Sequence, residues 1–293
     1  MQKNTVVLGF SDYRLQASKL AAALQANYAE VHVHYFPDQE CKLTLPTDLP
    51  GHVIVCRSLH APNTKLVELY LLAKALRDQS CEKLTLVAPY LCYMRQDKAF
   101  NPGEVVSQRW IGAFIADLFD EVITVDAHLH RIDSIEHVIH TGRATTLSAS
   151  HLIGRYVASK LDAPMIMGPD EESLQWVKQV AEPQGFDFCV AEKTRKTDSD
   201  VSIKLPAVNV QHRDIVLVDD VASTGNTLIE AAKLLATRAP NNVYCALTHA
   251  LFVNDAYLQL MALGIKAVWS TDSISHISNR ISLAKLLAKD VTL

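Results

Sequence analysis

The alternation of short apolar, β-branched runs with longer amphipathic stretches constrains the fold of this 293-residue chain more than any other feature. Ten runs predict strands, at Thr5–Phe10, Glu30–Tyr35, His52–Arg57, Lys83–Pro89, Glu121–Asp126, Met165–Gly168, Asp187–Glu192, Asp214–Asp219, Asn242–Ala250 and Ala267–Ser270. Six stretches between them predict helices, at Leu15–Asn27, Thr64–Gln79, Val105–Phe119, Ser148–Leu161, Ser173–Gln184 and Asn226–Arg238. This order is typical of α/β folds with largely parallel sheets.

The length of the chain favours two sheets over one. A chain of 293 residues makes one large or two ordinary domains, and two shorter sheets fit the strands better. The polar stretch around Ile139–Ala149 has little apolar periodicity and is the predicted junction. We therefore expect an N-terminal domain over residues 1–145 and a C-terminal domain over 146–280. It stays open whether residues 281–293 complete the first domain.

Composition excludes several classes of protein. Hydrophobic residues make up 49% and charged residues 20%, as in ordinary globular proteins. The net charge of -4 provides no overall basic surface for nucleic acid. No apolar run approaches the roughly 18 residues of a membrane span, and the N-terminus lacks the apolar region of a signal peptide. The six cysteines form no CxxC pair, which argues against a disulfide framework. These features predict a cytoplasmic protein.

The strongest motif is the run IVLVDDVASTGNT at residues 215–227, which leads into a helical pattern. An apolar strand ends in Asp219 and Asp220, and a short turn with Gly225 follows. Ligands of parallel α/β sheets bind beyond the carboxyl ends of the strands. A loop that opens a helix there offers backbone N–H groups and the positive end of a dipole, which suits a phosphate. The two carboxylates can accept hydrogen bonds from the hydroxyls of a sugar.

Other residues of this turn support a sugar-phosphate site. Ser223, Thr224 and Thr227 add hydroxyl donors, and Gly225 permits a close approach of the backbone to a ligand. The alternative is a strand end with solvated acids and an ordinary helix cap. Neither a Walker A sequence nor a G-x-G-x-x-G occurs, so the usual P-loop and dinucleotide fingerprints are absent.

Residues 215–227 resemble the phosphoribosyl-diphosphate loop of the type I phosphoribosyltransferase fold. Five further segments resemble the ribose-phosphate pyrophosphokinase (phosphoribosyl diphosphate synthetase) family, and they follow one another in the order of that family. They are FPDQE at 36–40, PYLCYMRQD at 89–97, TVDAH at 124–128, GPD at 168–170 and EKTRK at 192–196. The chain looks most like the divergent, archaeal-type branch of this family.

The resemblance implies a fold and an activity. The fold would be two similar type I phosphoribosyltransferase-type α/β domains, each with a mainly parallel sheet flanked by helices, and an active site between them. The N-terminal domain would bind ATP and the C-terminal domain ribose 5-phosphate. The activity would be transfer of the diphosphoryl group of Mg-ATP to the C1 hydroxyl of ribose 5-phosphate. The protein would form a homo-oligomer, and we expect it to bind neither nucleic acid nor a membrane.

The resemblance also implies a role for each matched residue. The ATP contacts would be Phe36, Asp38, Glu40, Arg95, Gln96 and Asp97. The ribose 5-phosphate contacts would be Asp219, Asp220, Ser223, Thr224, Gly225, Asn226 and Thr227. Mg²⁺ would be placed by His128 and Asp170, directly or through water. The catalytic residues would be Lys193 and Arg195, in the segment that resembles the catalytic loop.

Each segment taken alone also has a structural interpretation. Residues 36–40 could be a β-turn, 95–97 a solvated loop, His128 a structural residue and 192–196 a solvated charge run. The chemistry of the residues is compatible with the functional roles. An arginine after a strand can contact phosphate through two nitrogens, and residues two apart in a strand share a face. Because Mg²⁺ prefers oxygen ligands, the role of His128 rests on the resemblance.

Three departures from the family pattern leave alternatives open. The run after Asp97 lacks the usual basic residues, Glu171-Glu172-Ser173 replaces Ala-Gly-Gly, and Ser223 and Asn226 stand where Asp and Gly are common. Two extra carboxylates beside a phosphate site would repel the phosphate. The alternatives to a synthetase are a phosphoribosyltransferase that consumes the diphosphate and a non-catalytic regulatory homologue.

Overall fold

The computed structural model of the protein describes residues 4–129, 134–195 and 201–292. Its strands are β1 (Thr5–Phe10), β2 (Asn27–Tyr35), β3 (Cys41–Thr44), β4 (His52–Cys56), β5 (Lys83–Ala88), β6 (Glu121–Val125), β7 (Arg143–Leu147), β8 (Met165–Gly168), β9 (Asp187–Val190), β10 (Glu192–Arg195), β11 (Val201–Lys204), β12 (Asp214–Ala222), β13 (Asn242–Ala250), β14 (Ala267–Thr271) and β15 (Asn279–Ile281). Its helices are α1 (Arg14–Leu24), α2 (Pro62–Asp78), α3 (Ser107–Ala116), α4 (Ser150–Ala158), α5 (Leu174–Ala181), α6 (Asn226–Ala236), α7 (Ala256–Ala262) and α8 (Ala284–Ala288).

The chain divides into two compact units. Unit 1 comprises Met1–Leu147 and Ser282–Leu293, so the C-terminal segment returns to the first half of the chain. Unit 2 comprises Ser148–Ile281. No helix in the described ranges is long and apolar enough to cross a membrane.

Unit 1 is built on a seven-stranded sheet of order β3-β2-β1-β4-β5-β6-β7. All neighbours are parallel except β3, which pairs antiparallel with β2 at the edge. The chain moves outward from β1 through β2 and β3 on one side, and from β4 through β7 on the other. The strand order therefore reverses between β1 and β4.

Unit 2 is built on a six-stranded parallel sheet of order β15-β14-β13-β12-β8-β9. Here the order reverses between β8 and β12. Strands β10 and β11 form a separate antiparallel ribbon. The prediction of two mainly parallel sheets flanked by helices is therefore confirmed.

Apolar periodicity explains how the helices pack on these sheets. In α2 the buried positions Leu66, Leu69, Leu72 and Leu76 recur every three or four residues and join the core of unit 1. The central strands β4 and β5 are buried along almost their whole length, as expected for a sheet covered on both faces. Tyr70 of the same helix is 44% exposed.

Elements that the sequence did not predict are mostly short and polar. They are strands β3, β7, β10, β11 and β15 and helices α7 and α8. The predicted strand Asp187–Glu192 is divided, because β9 ends at Val190 and Glu192 begins β10. A strand of three to five residues leaves too few positions for an alternating pattern to stand out, and its pairing partner supplies what the local sequence lacks.

Candidate active site

Three acidic residues of unit 2, Asp170, Asp219 and Asp220, gather at the carboxyl ends of β8 and β12, where the strand order reverses. Ligands of open parallel sheets bind at such a switch point. Asp170 follows β8 closely. Asp219 and Asp220 lie within β12, which continues three residues beyond its predicted end at Asp219 because β13 pairs alongside it as far as Ala222.

The carboxylates of Asp219 and Asp220 are held by backbone N–H groups. The N–H of Asp220 donates to Oδ1 of Asp219 at 3.0 Å, and the N–H of Val221 donates to Oδ1 of Asp220 at 2.7 Å. Asp220 is only 3% exposed. These short local bonds orient both side chains before any ligand arrives.

Negative charge is concentrated around Asp219. Part of its side chain reaches solvent, yet its carboxyl lies deep in unit 2, and this burial raises its pKa well above 3.8. The neighbouring carboxylates of Asp220 and Asp170 raise the pKa further. A cation or a set of hydroxyl donors would relieve this repulsion, so the cluster is suited to hold either.

The loop after β12 leads directly into the N-terminus of α6. Gly225 is the cap residue, with φ +70° in the left-handed region, and no side chain caps the first turn of the helix. Thr224 and Asn226 are exposed, and Ser223 and Thr227 are partly exposed. The flank of the loop is fixed, because the N–H of Val253 donates to the carbonyl of Ser223 at 3.0 Å. Backbone N–H groups, hydroxyls and a helix dipole thus meet at one place, as an anion site requires.

The Glu171-Glu172-Ser173 segment forms a 3-10 turn that Asp170 caps. The N–H of Ser173 donates to Oδ1 of Asp170 at 3.3 Å, and the Ser173 hydroxyl donates to the Asp170 carbonyl at 2.5 Å. Glu171 and Glu172 are exposed, whereas Ser173 is fully buried. The segment therefore turns its serine inward and its two glutamates toward solvent, which limits the repulsion expected from the sequence.

Gly168 and Ser173 fit each other sterically. A Cβ atom on Gly168 would lie 2.1 Å from Oγ of Ser173, far inside contact distance. The side chain of Ser173 therefore occupies the space that a larger residue at position 168 would need.

In unit 1, residues 36–40 form the turn between β2 and β3. The N–H of Phe36 donates to the carbonyl of Glu40 at 2.8 Å, and the N–H of Glu40 donates to Oδ1 of Asp38 at 3.2 Å. The ring of Phe36 is 41% exposed and meets His34 edge-on, with ring centroids 5.0 Å apart. An exposed aromatic ring can stack on a base, and the two carboxylates of the same turn can accept hydrogen bonds from that base.

The loop after β5 carries Arg95, Gln96 and Asp97. Arg95 is exposed, while the other two side chains are partly buried. The loop is closed by Glu104, whose carboxylate accepts hydrogen bonds from Nε2 of Gln96 at 3.3 Å and from the N–H of Phe100 at 2.8 Å. The stretch 98–104, in which sequence reasoning noted only missing basic residues, thus contains the group that holds Gln96.

Comparison with known proteins identifies the family. A family model described as the N-terminal domain of ribose phosphate pyrophosphokinase matches residues 5–120, and a phosphoribosyl transferase domain model matches residues 139–256. A curated ribose-phosphate pyrophosphokinase of Methanopyrus kandleri is 32% identical over 98% of this chain and 98% of its own length. The chain belongs to the ribose-phosphate pyrophosphokinase family. It is accordingly a transferase of the diphosphokinase type.

Further relatives agree with this family assignment. A ribose-phosphate pyrophosphokinase of Methanosarcina mazei is 32% identical over 97% of this chain and 94% of its own. The crystal structure of a phosphoribosylpyrophosphate synthetase from Mycobacterium smegmatis superimposes with a TM-score of 0.85, covering 98% of this chain and 97% of that one, at 23% identity. The last comparison supports the fold.

His128, one of the two residues predicted to place the metal in this family, follows β6 in unit 1 and is partly buried. Its loop is fixed by β7, because the N–H of Asp126 donates to the carbonyl of Leu147 at 2.8 Å and the N–H of Ala127 to Oγ1 of Thr146 at 3.2 Å. Asp170, the other residue, belongs to unit 2. Within the described ranges, no group of three His, Cys, Asp or Glu side chains is arranged as a ready-made metal site.

The two predicted catalytic residues belong to the β10–β11 ribbon. Lys193 pairs with Ile203, and Arg195 pairs with Val201. They are two residues apart, and positions with this spacing lie on the same face of a strand. Lys196, the next residue of the basic run, lies outside the described residues, as does His130.

Sequence reasoning missed two supporting residues, Glu104 and Ser173. For Glu104 a signal existed, since Asn-Pro-Gly-Glu is a turn sequence with a carboxylate positioned to accept from the turn's own backbone. For Ser173 no local signal existed, because its fit against Gly168 is visible only in the folded structure.

Proposed function

We propose that the protein is a ribose-phosphate diphosphokinase that converts ATP and ribose 5-phosphate to 5-phosphoribosyl 1-diphosphate and AMP. The observation that carries this proposal is the switch point of unit 2. There, oriented carboxylates and an uncapped helix N-terminus lie next to each other in a member of the ribose-phosphate pyrophosphokinase family. A phosphorylated sugar presents the two groups that such a site can bind, a phosphate and a set of hydroxyls.

In this proposal unit 2 binds ribose 5-phosphate. The backbone and hydroxyls of residues 223–227 would hold the 5-phosphate, with Gly225 allowing the close approach. Asp219 and Asp220 would accept hydrogen bonds from the ribose hydroxyls. Backbone N–H groups already hold the two carboxylates in place, so little order has to be gained on binding.

Unit 1 would bind ATP. Phe36 would lie against the adenine, with Asp38 and Glu40 as polar partners from the same turn. Arg95, Gln96 and Asp97 would hold further groups of the nucleotide. The position of Gln96 against Glu104 supports a preformed loop, and an exposed arginine can contact phosphate through two nitrogens. A homo-oligomer stays a prediction from the resemblance.

The carboxylates of unit 2 fit a magnesium ion chemically, because Mg²⁺ binds oxygen ligands and commonly completes its shell with waters and substrate phosphates. Asp170 and His128 stay the residues predicted to place it, directly or through water. When bound, Mg²⁺ would neutralise charge on the diphosphate. The raised pKa of Asp219, caused by burial and by its two acidic neighbours, supports a role for a cation at this place.

The reaction would be an in-line displacement. The anomeric hydroxyl of ribose 5-phosphate attacks the β-phosphorus of ATP, its proton leaves, and the bond from that phosphorus to the AMP oxygen breaks. Such reactions depend mainly on positioning and on stabilising negative charge in the transition state. Lys193 and Arg195 would supply positive charge to the transferring group.

The test is an assay of AMP release by the purified protein with Mg-ATP, ribose 5-phosphate and inorganic phosphate. We expect AMP only when both substrates and Mg²⁺ are present, with controls that omit ribose 5-phosphate or add a chelator. AMP at the level of the blank would contradict the proposal. In a second arm, consumption of 5-phosphoribosyl 1-diphosphate with a nucleobase and without ATP would indicate a phosphoribosyltransferase. Substrate binding without turnover would indicate a regulatory homologue.

A further inference from the structure

An ionic network with a buried centre occupies the switch point of unit 1, between β1 and β4. Its buried members are Arg57, Glu68 and Lys65, which are 4%, 0% and 8% exposed. Asp12 and Tyr35 lie at its exposed margin, and Tyr35 is 46% exposed. The network stands at the same place in the sheet of unit 1 as the carboxylate cluster does in unit 2. In unit 1 the position is filled by side chains that pair with one another.

Glu68 is the centre of the network. One of its carboxylate oxygens, Oε2, accepts a hydrogen bond from Nη1 of Arg57, and the other, Oε1, accepts from the hydroxyl of Tyr35. Arg57 also bonds Asp12 through Nε at 3.2 Å, and its guanidinium lies 3.9 Å from the ring centroid of Phe10. The position of Glu68 is therefore fixed from two sides.

The second cation completes the pairing. Nζ of Lys65 lies 2.8 Å from Oδ2 of Asp12 and donates to the carbonyl of Ser58 at 2.8 Å. The network thus joins the ends of β1, β2 and β4 to the first two turns of α2. Buried ion pairs are often no more stable than well-packed apolar side chains of similar volume, so this number of buried charges calls for a role beyond stability.

Tyr35 connects the network to the nucleotide side of unit 1. It is the last residue of β2, and the turn of residues 36–40 follows it directly. Its hydroxyl remains a donor at all physiological pH values, since the hydrogen bond to Glu68 and burial raise the pKa of the phenol to about 12. The base of the turn is therefore tied to α2 by one hydrogen bond.

A groove of about 520 Å³ lies between that turn and α2. One wall contains Gln39, Glu40 and Cys41, and the other contains Asn63, Thr64, Val67 and Leu71 of α2. Glu68 belongs to the same helix as the second wall. The hydrogen bond from Tyr35 to Glu68 therefore joins the strand that leads into the first wall to the helix that forms the second.

We propose that Tyr35 and Glu68 are positioning residues, which hold the 36–40 turn at a fixed distance from α2 so that the turn can receive the nucleotide. Neither residue contacts the reacting atoms. The inference rests on the proposed function for the identity of the ligand, whereas the mechanical connection itself does not depend on it.

The test is Tyr35→Phe, which removes the hydroxyl and keeps the ring. Glu68→Gln is less suitable, because it removes the buried carboxylate of Arg57 and leaves only the more exposed Asp12 to pair with that charge. The matched control is Tyr70→Phe, an exposed tyrosine of α2 outside the network. We expect Tyr35→Phe to raise KM for ATP roughly tenfold, the effect of losing one hydrogen bond to a charged group. We expect kcat to stay within about twofold and KM for ribose 5-phosphate to stay unchanged, since the chemistry and unit 2 are untouched.

Two kinetic results would overturn the inference. One is a KM for ATP equal to that of Tyr70→Phe. The other is an equal loss for both substrates together with a lower melting temperature, which would indicate a general structural role.

Amide hydrogen exchange separates this inference from the proposed function. The N–H groups of Phe36, Gln39 and Glu40 are bonded within the turn. They should exchange faster in Tyr35→Phe than in Tyr70→Phe, whether or not the wild type releases AMP. If the wild type releases no AMP, the proposed function fails while exchange still decides the positioning role. Unchanged exchange in the turn would contradict the positioning role even in an active enzyme.

Discussion

At the scale of single residues, the chemistry of the candidate site was largely visible in the sequence. The adjacent pair Asp219 and Asp220 and the turn around Gly225 could be assigned to a sugar-phosphate site from residue types alone. The distance between residues 170 and 219 along the chain hides the third carboxylate, which becomes a neighbour only through the pairing of β8 with β12. Local spacing predicts chemistry within a segment, but the sum of charges at a site depends on tertiary contacts.

We expect Asp219→Asn to increase the stability of the folded protein and to lower its enzymatic activity. Burial first, and then the charges of Asp220 and Asp170, raise the pKa of Asp219 in the folded state. When a carboxyl has a higher pKa in the folded than in the unfolded protein, its contribution to stability is fully present only below its pKa in the unfolded protein. That contribution is lost as the pH rises through its pKa in the folded protein. The neutral amide avoids that loss, and its oxygen can still accept from the N–H of Asp220.

Without Mg²⁺, thermal unfolding of Asp219→Asn should therefore occur at a higher temperature than that of the wild type. The difference should be larger at pH 8 than at pH 5 and amount to about 2–4 °C for each kcal/mol gained. kcat/KM for ribose 5-phosphate should fall about 10- to 100-fold with the loss of a charged acceptor. Asp162→Asn, at an exposed position of the same unit, should change neither quantity. A melting temperature that falls, or a difference that shrinks between pH 5 and pH 8, would contradict the charge argument.

At the scale of elements, fully buried strands were predicted well and partly exposed edge strands were not. Strands β1, β8 and β13 have the bounds expected from their apolar runs. In contrast, β12 extends past its apolar run because β13 pairs with Val221 and Ala222 beyond it. The sequence placed only Lys193 and Arg195 on an extended stretch and did not predict the ribbon β10–β11, since its charged residues carry no burial pattern and its pairing joins two separate stretches of chain.

The ribbon allows a sharp test of the catalytic assignment. We expect Lys193→Ala to lower kcat at least about 100-fold, the usual effect of removing one group that stabilises charge in a transition state, while the melting temperature stays the same. The matched control is Lys204→Ala, an exposed lysine on the opposite strand of the same ribbon, 3.8 Å from Glu192. That variant should keep nearly full activity. Equal rates for the two variants would remove Lys193 from the catalytic role.

At the scale of the whole molecule, a net charge of -4 does not prevent the binding of anionic substrates. In the proposed function, the local arrangement supplies the positive charge through the helix N-terminus after Gly225, the exposed Arg95 and the cation that the carboxylates would hold. The sequence predicted the two sheets because alternation and length together allow few other folds. It could not predict the network around Glu68 or the contacts of the C-terminal segment, since both join residues that are far apart in the chain.

The C-terminal segment contacts the N-terminal ends of strands β5, β6 and β7 in unit 1. Nη2 of Arg143 lies 2.8 Å from Oδ1 of Asp290, and Nζ of Lys83 donates to the carbonyl of Thr292 at 2.6 Å. The Thr292 hydroxyl donates to Glu121, a buried carboxylate that also pairs with both cations. Burial opposes ionisation of Glu121, yet the bonds from these cations outweigh it and lower its pKa.

A chain that ends at Lys289 should therefore lose stability in unit 1. The truncation removes these bonds and the buried Val291, together worth about 2–4 kcal/mol. Amide exchange should become faster in β5, β6, β7 and α1 and stay unchanged in β12 and β13, because the segment belongs to unit 1 alone. Lys285→Ala, an exposed position in α8, keeps the whole segment and should exchange like the wild type. Equal acceleration in both units would show instead that the segment stabilises the molecule as a whole.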